Sequence, residues 1–327
     1  MKSSSLVLPL LLLGAVLLSL MIGQVVLSPL QLWTGLWSGT GPGALTLRVL
    51  RGPATFTAAG AGAVLGAAGT IFQILLRNPL AAPDVMGFMS GAGLAVVAGV
   101  AFGISLPLPL LSAAGGLTAA VAVALLSVRR GPVMQSSLTL ILVGIGVSFL
   151  ASAASSFLIT RMPPQEAADA QRWLVGSLAA RSWQHAAQVW GLGALMLLVL
   201  ALQVRALKVL ELGDELAAGL GLRPGRARNG LIGTGVLLAA AGVAVAGPVP
   251  FVAMMAGPLG MRIAKVTAPG ARLCAAAMTG AVVTILADVV ARSIVPGVQL
   301  PVGVMTGIMG APYLLWLLSK EAEAGEL

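Results

Sequence analysis

Apolar runs long enough to cross a bilayer recur from one end of this sequence to the other, and they confine it to a bundle of membrane-spanning helices. At about 20 residues per span, the runs fall at 6–27, 53–76, 85–104, 108–128, 138–159, 186–204, 229–247, 251–265, 271–291 and 302–319. Apolar residues make up 58% of the chain and charged residues 9%, with a mean hydropathy of +1.01. A water-soluble core cannot hide that much apolar surface. The expected fold class is therefore all-α, a polytopic membrane protein of about ten transmembrane helices, in one transmembrane domain over residues 1–327. Lys2 followed by the first run has the outline of a signal peptide. That run is too long and shows no small-x-small cleavage site, so an uncleaved first span is expected.

The charges orient the bundle. A net charge of +9 would suggest nucleic acid in a soluble protein, but here the bias of Lys and Arg toward cytoplasmic loops accounts for it, and no nucleic-acid function is read. With the N-terminus in the cytoplasm, Lys2, Arg77, Arg129, Arg130, Arg205, Lys208, Arg223, Arg226, Arg228, Arg262, Lys265, Arg272 and Lys320 lie inside. Arg48, Arg51, Arg161, Arg172, Arg181 and Arg292 then lie outside. The inner set is the larger, so both termini are expected in the cytoplasm. Trp173 and Trp183 flank an apolar run on the outer side and read as interfacial anchors, with His185 as a polar residue beside them. Cys274 has no cysteine partner, so no internal disulfide is possible.

The most polar interruption is 205–228. Within it Leu212, Leu216 and Leu220 recur every four residues while Glu211, Asp214 and Glu215 fall elsewhere, the pattern of a short amphipathic helix. Asp214 after Gly213 is placed to cap its start, Gly219 with Gly221 to end it, and Pro224 to open a second short turn. Two readings stay open from the residues: a solvated connector, or a handle for a soluble partner. Elsewhere Asp84 is placed to cap a helix. Gly62 and Gly66 form a small-xxx-small pair that suits either packing within the chain or a dimer seam. Pro248, Pro250 and Pro258 mark irregular backbone, which a membrane protein tolerates only where neighbours satisfy the freed carbonyls.

Some chemistry is missing from the sequence. No Gly-x-x-x-x-Gly-Lys-Ser/Thr loop is present, so the chain is not expected to hydrolyse a nucleotide or to be an enzyme. Among acidic residues only Asp288 approaches a span, whereas ion-coupled carriers need ionisable groups at membrane depth. Energy is expected to enter from another subunit.

Seven segments, in order, resemble the permeases of type II ATP-binding-cassette importers for iron-siderophores, haem and cobalamin, the FecCD family. They are Leu47-Arg48-Val49-Leu50-Arg51; Leu76-Arg77-Asn78-Pro79-Leu80 through Pro83-Asp84-Val85-Met86-Gly87; and Trp173 to Leu178 with Trp183. The others are Leu212-Gly213-Asp214 through Leu220-Gly221; Gly247-Pro248-Val249-Pro250-Phe251-Val252; Asp288 to Arg292; and Leu300-Pro301-Val302-Gly303 with Gly310-Ala311-Pro312. Leu50 stands where the family usually has proline, Gly257-Pro258 where Pro-His is usual, and Gln299 where glutamate is common.

The resemblance implies an importer permease in the bacterial cytoplasmic membrane. Its partners would be two copies of a cytoplasmic ABC ATPase, an external substrate-binding lipoprotein and a second permease. The ATPase would hold ATP and Mg, leaving this chain without a cofactor. The residues at Leu210, Glu211, Leu212, Gly213, Asp214, Glu215, Leu216, Ala217, Leu220 and Gly221 match the coupling helix that rests on the ATPase. Arg48, Arg51 and Arg292 match the basic residues that dock the binding protein, and Ser136, Ser137 and Thr139 fall where the family has a cytoplasmic gate, although helix-end capping also suits them. The variants at Pro83 to Phe88 and Gln299 to Pro301 look like one half of paired ferric-enterobactin-type permeases, which favours a paralogous heterodimer over a homodimer. The implied cargo is an iron-siderophore complex, with haem or cobalamin as the alternative.

Overall fold

The computed structural model describes residues 6–23, 25–127, 137–295 and 297–324, which form helices and no strand. In chain order the helices are α1 (Val7–Met21), α2 (Pro29–Ser38), α3 (Gly41–Leu45), α4 (Arg51–Leu76), α5 (Phe88–Ala101), α6 (Leu108–Ser127) and α7 (Ser137–Thr160). There follow α8 (Pro164–Leu174), α9 (Trp183–Leu210), α10 (Asp214–Gly219), α11 (Pro224–Ala246), α12 (Val252–Ala264), α13 (Pro269–Ser293) and α14 (Val302–Ala324). Among the described residues, 7 helical stretches are long and apolar enough to cross a membrane, and α1, α5 and α12 are shorter apolar helices. Together they coincide with the ten runs cut from the sequence. α9 and α14 extend beyond their apolar cores, and α4 is joined to α3 through a π-helical turn at Thr46–Leu50.

Helices α2 and α8 lie outside the expected spans. Helix α2 follows a capping box: Ser28 Oγ accepts from the Gln31 N–H, Gln31 Oε1 accepts from the Ser28 N–H, and Pro29 sits at the first helical position. Those residues supply the helix-start chemistry themselves. A search for spans of membrane length passes over it.

Helix α4 is the axis of the bundle; nearly all of its side chains are buried. Its packing partner along most of that length is α13. A Cβ built on Gly62 would sit 2.2 Å from the Gly280 carbonyl oxygen, and one on Gly280 would sit 2.1 Å from that of Gly62. Only glycine allows this approach, so Gly62 and Gly66 serve packing within the chain. The contact joins two helices that run the full depth of the bundle, about 39 Å for α4 at 1.5 Å per residue.

The proline-rich stretch is accommodated by its neighbours. Pro258 lies inside α12 and has no N–H for the carbonyl of Met254, one turn earlier. Gln73 of α4 donates to that carbonyl instead, at 2.8 Å. The non-helical backbone after α11 packs against two other such segments. The Ser177 N–H reaches the Ala246 carbonyl at 2.8 Å, and Gly176 and Gly303 lie close to Pro248. Three of the matched segments, at 173–178, 247–252 and 300–303, thus converge at one end of the bundle, where backbone polar groups find backbone partners.

Candidate functional site

Two clusters of the expected functional residues lie at opposite ends of α4 and α13. At one end α9 stops at Leu210, a tight turn with Gly213 at φ +108 follows, and α10 runs for six residues. Leu210 and Ala217 are buried and tie the segment to the core. Glu211 pairs with Arg272 at the start of α13, and Asp214 pairs with Arg228 in the first turns of α11 at 3.0 Å. Arg77, just beyond α4, lies beside Gly213.

Two readings of this stretch need correction. Asp214 does not cap α10: it is the first helical residue, follows Gly213, and directs its carboxylate to Arg228. Pro224 does not open a short turn but begins the long helix α11.

The direction of the leucines matters most here. A short amphipathic helix on a folded body normally turns its apolar face inward. In this segment Leu212, Leu216 and Leu220 are 58%, 61% and 66% exposed, while Glu211 and Asp214 face the bundle. Three branched apolar side chains therefore stand on a platform pinned by two ion pairs and two buried residues. A ridge of this kind is suited to the groove of a partner.

At the other end Arg48 is exposed, and its backbone carbonyl takes the Trp183 indole N–H at 2.7 Å. The π-helical turn that carries Arg48 precedes Pro53 by a few residues, and such turns are frequent at functional sites. Arg51 is turned inward and donates to the carbonyls of Leu20, Met21 and Val25. Arg292 is buried: it donates to the Ser19 carbonyl at 2.7 Å and to Ser19 Oγ, and its Nε lies 3.6 Å from Asp288 Oδ2. All three arginines line one cavity of about 800 Å³ together with Arg181, Asp288 and Gln299. Arg181 donates to the Ser177 carbonyl, and burial lowers its proton affinity without removing an arginine's charge.

The sequence reading placed these arginines on one side but gave no sign that two of them turn inward to α1, one of them buried, and it missed Ser19 altogether. His185 is occupied structurally, with its Nδ1 paired to Ser182 Oγ at 2.9 Å at the start of α9. Asp84 accepts from the Met89 N–H and caps α5 as expected. Of the gate candidates, Ser136 lies outside the described residues, Ser137 opens α7, and Thr139 is half-buried in the first turn. Among the described residues no three His, Cys, Asp or Glu side chains gather as metal ligands do.

Comparison with known proteins gives the same picture. Residues 11–320 match the FecCD transport family. The chain is 38% identical over 304 residues to the ferric enterobactin transport system permease protein FepG of Escherichia coli (strain K12), covering 92% of this chain and 90% of that one. It is 33% identical over 321 residues to the vitamin B12 import system permease protein BtuC of Salmonella arizonae, covering 96% and 93%. A solved structure described as an inward-facing conformation of a metal-chelate type ABC transporter superposes with a TM-score of 0.82 at 28% identity, covering 96% of this chain and 97% of that one. An α-helical bundle of this topology, matched over nearly its whole length, is a multi-pass permease of the bacterial inner membrane, and the chain belongs to the FecCD transport family.

Proposed function

We propose that this permease carries an iron-siderophore complex inward by alternating access, driven by ATP hydrolysis on a separate subunit. The observation that carries this reading is the exposed ridge of Leu212, Leu216 and Leu220 on its pinned platform. That ridge lies in the cytoplasm and rests on an ABC ATPase, two copies of which serve the transporter and hold ATP and Mg. Partner movement reaches the bundle through residues 205–228, where Glu211 and Asp214 link the loop to α13 and α11. Residues 1–327 act as one transmembrane permease domain, and Ser136, Ser137 and Thr139 stand at the cytoplasmic gate.

At the outer end Arg48, Arg51 and Arg292 receive carboxylates of a binding lipoprotein, with Arg48 exposed for first contact. Long-range attraction of this kind speeds docking and weakens as salt rises. Similarity to FepG supports ferric enterobactin or a related catecholate complex as cargo, and the variants at Pro83 to Phe88 and Gln299 to Pro301 favour a paralogous permease as the second half of the transporter. Similarity to a vitamin B12 permease supports cobalamin as a second reading.

Uptake in sealed vesicles containing the assembled transporter tests the scheme. Accumulation of ferric enterobactin should require ATP and survive collapse of the proton gradient. Uptake driven by the gradient without ATP would favour an ion-coupled carrier, and ATP-driven uptake of cobalamin alone would move the assignment to the second cargo.

A further inference from the structure

The outer cavity holds an imbalance that docking alone does not explain. Arg51 and Arg292 lie close enough to repel each other, yet among the described residues lining the cavity Asp288 is the one acidic side chain. Asp288 is 1% exposed, and neither of its carboxylate oxygens accepts a hydrogen bond; Arg292 Nε, 3.6 Å from Oδ2, makes none either. The hydrogen bonds of Arg292 go instead to α1, to the carbonyl and hydroxyl of Ser19. Arg51 takes the carbonyls of Leu20 and Met21 in the same turn. The last carbonyls of a helix lack intrahelical donors, and basic side chains are their natural partners. The two inward-facing arginines therefore cap the C-terminal end of α1.

We propose that the last turn of α1 competes with the external binding protein for Arg292, with Ser19 as the positioning residue that holds the guanidinium inside until a partner carboxylate takes it. This rests on the docking reading above. A carboxylate entering the cavity relieves the repulsion between Arg51 and Arg292. Release of Arg292 leaves the Ser19 carbonyl without its charged donor, so docking loosens the contact of α1 with α13. Ser19 Oγ also touches Thr55 Oγ1 of α4 at 2.6 Å, a packing contact of the same serine that supplies a control.

The test uses the full-length chain in nanodiscs and two readouts. In the first, phenylglyoxal labels arginines and the rate at Arg292 is followed by mass spectrometry. Removing a hydrogen bond to a charged group should raise that rate about tenfold in Ser19→Ala. Thr55→Ala, which loosens the same packing but leaves both Arg292 acceptors, should leave the rate unchanged. Equal rates in wild type and Ser19→Ala, or equal rises in both variants, would overturn the holding role whatever the fate of docking.

In the second, affinity is measured for the binding protein that stimulates ATP hydrolysis by the assembled transporter. Ser19→Ala should bind it more tightly, and the gain should vanish when Arg292→Gln is combined with Asp288→Asn, a pair that leaves no lone buried charge. If labelling rises in Ser19→Ala but the paired Arg292→Gln and Asp288→Asn changes leave affinity untouched, docking at Arg292 fails and the transfer proposed here fails with it.

Discussion

The two ends of this permease use similar residues in opposite ways. At the α10 end, acids point into the bundle and bind basic side chains of α11 and α13, while leucines face outward. At the opposite end, two of the three expected docking arginines point inward to fasten α1, and Arg48 faces outward. In both places charge fixes an element to the bundle, and what is left facing outward is the remainder: an apolar ridge at one end and a cation at the other. The difference suits the two proposed roles. A ridge that must transmit movement needs a stiff base, whereas a docking surface gains speed from long-range charge.

The sharpest way to break this comparison is at Arg292. Arg292→Ala strands Asp288 without its counter-charge and should cost about 3 kcal/mol of stability, read as a lower Tm in nanodiscs. An unchanged Tm would mean the pair is not structural. Next in size is Asp214→Ala, which leaves half-buried Arg228 unpaired and should cost about 2 kcal/mol. It should also loosen the loop, seen as faster hydrogen exchange at 211–220 with no change at 48–55. Equal exchange at both ends would contradict the idea that each ion pair pins its own element. The smallest effect on stability is expected for Arg48→Glu, whose side chain is exposed. Its Tm should match wild type while association with the binding protein slows roughly tenfold at low salt and less at high salt. A drop in Tm with unaltered association would reverse the roles of Arg48 and Arg292.

Much of the bundle was legible because a bilayer demands long apolar runs, and each of the ten runs became a helix or the greater part of one. The short helix α2 escaped notice because it is neither long enough to span nor charged, although its Ser-Pro-Leu-Gln start is a cap signal. At 212–220 periodicity identified which residues share a face but not which way that face turns. Direction was decided by Arg228, in the same polar stretch, and by Arg272, 61 residues from Glu211 and brought close by the fold. The same holds for Arg292, whose partner Ser19 lies 273 residues away. Glycine spacing at 62 and 66 signalled close packing, while the identity of the neighbour, α13, came from the tertiary structure.

The central claim is that the leucine ridge is a coupling surface and not a part of the fold. Leu216→Asp combined with Leu220→Asp tests it most directly, with two measurements on the same preparation: Tm of the permease and recovery of the ATPase subunit by copurification. Because both side chains are exposed, Tm should stay at its wild-type value while ATPase recovery falls at least tenfold, the loss expected when buried interface anchors are replaced by charge. A stable, fully recovered complex would contradict the account.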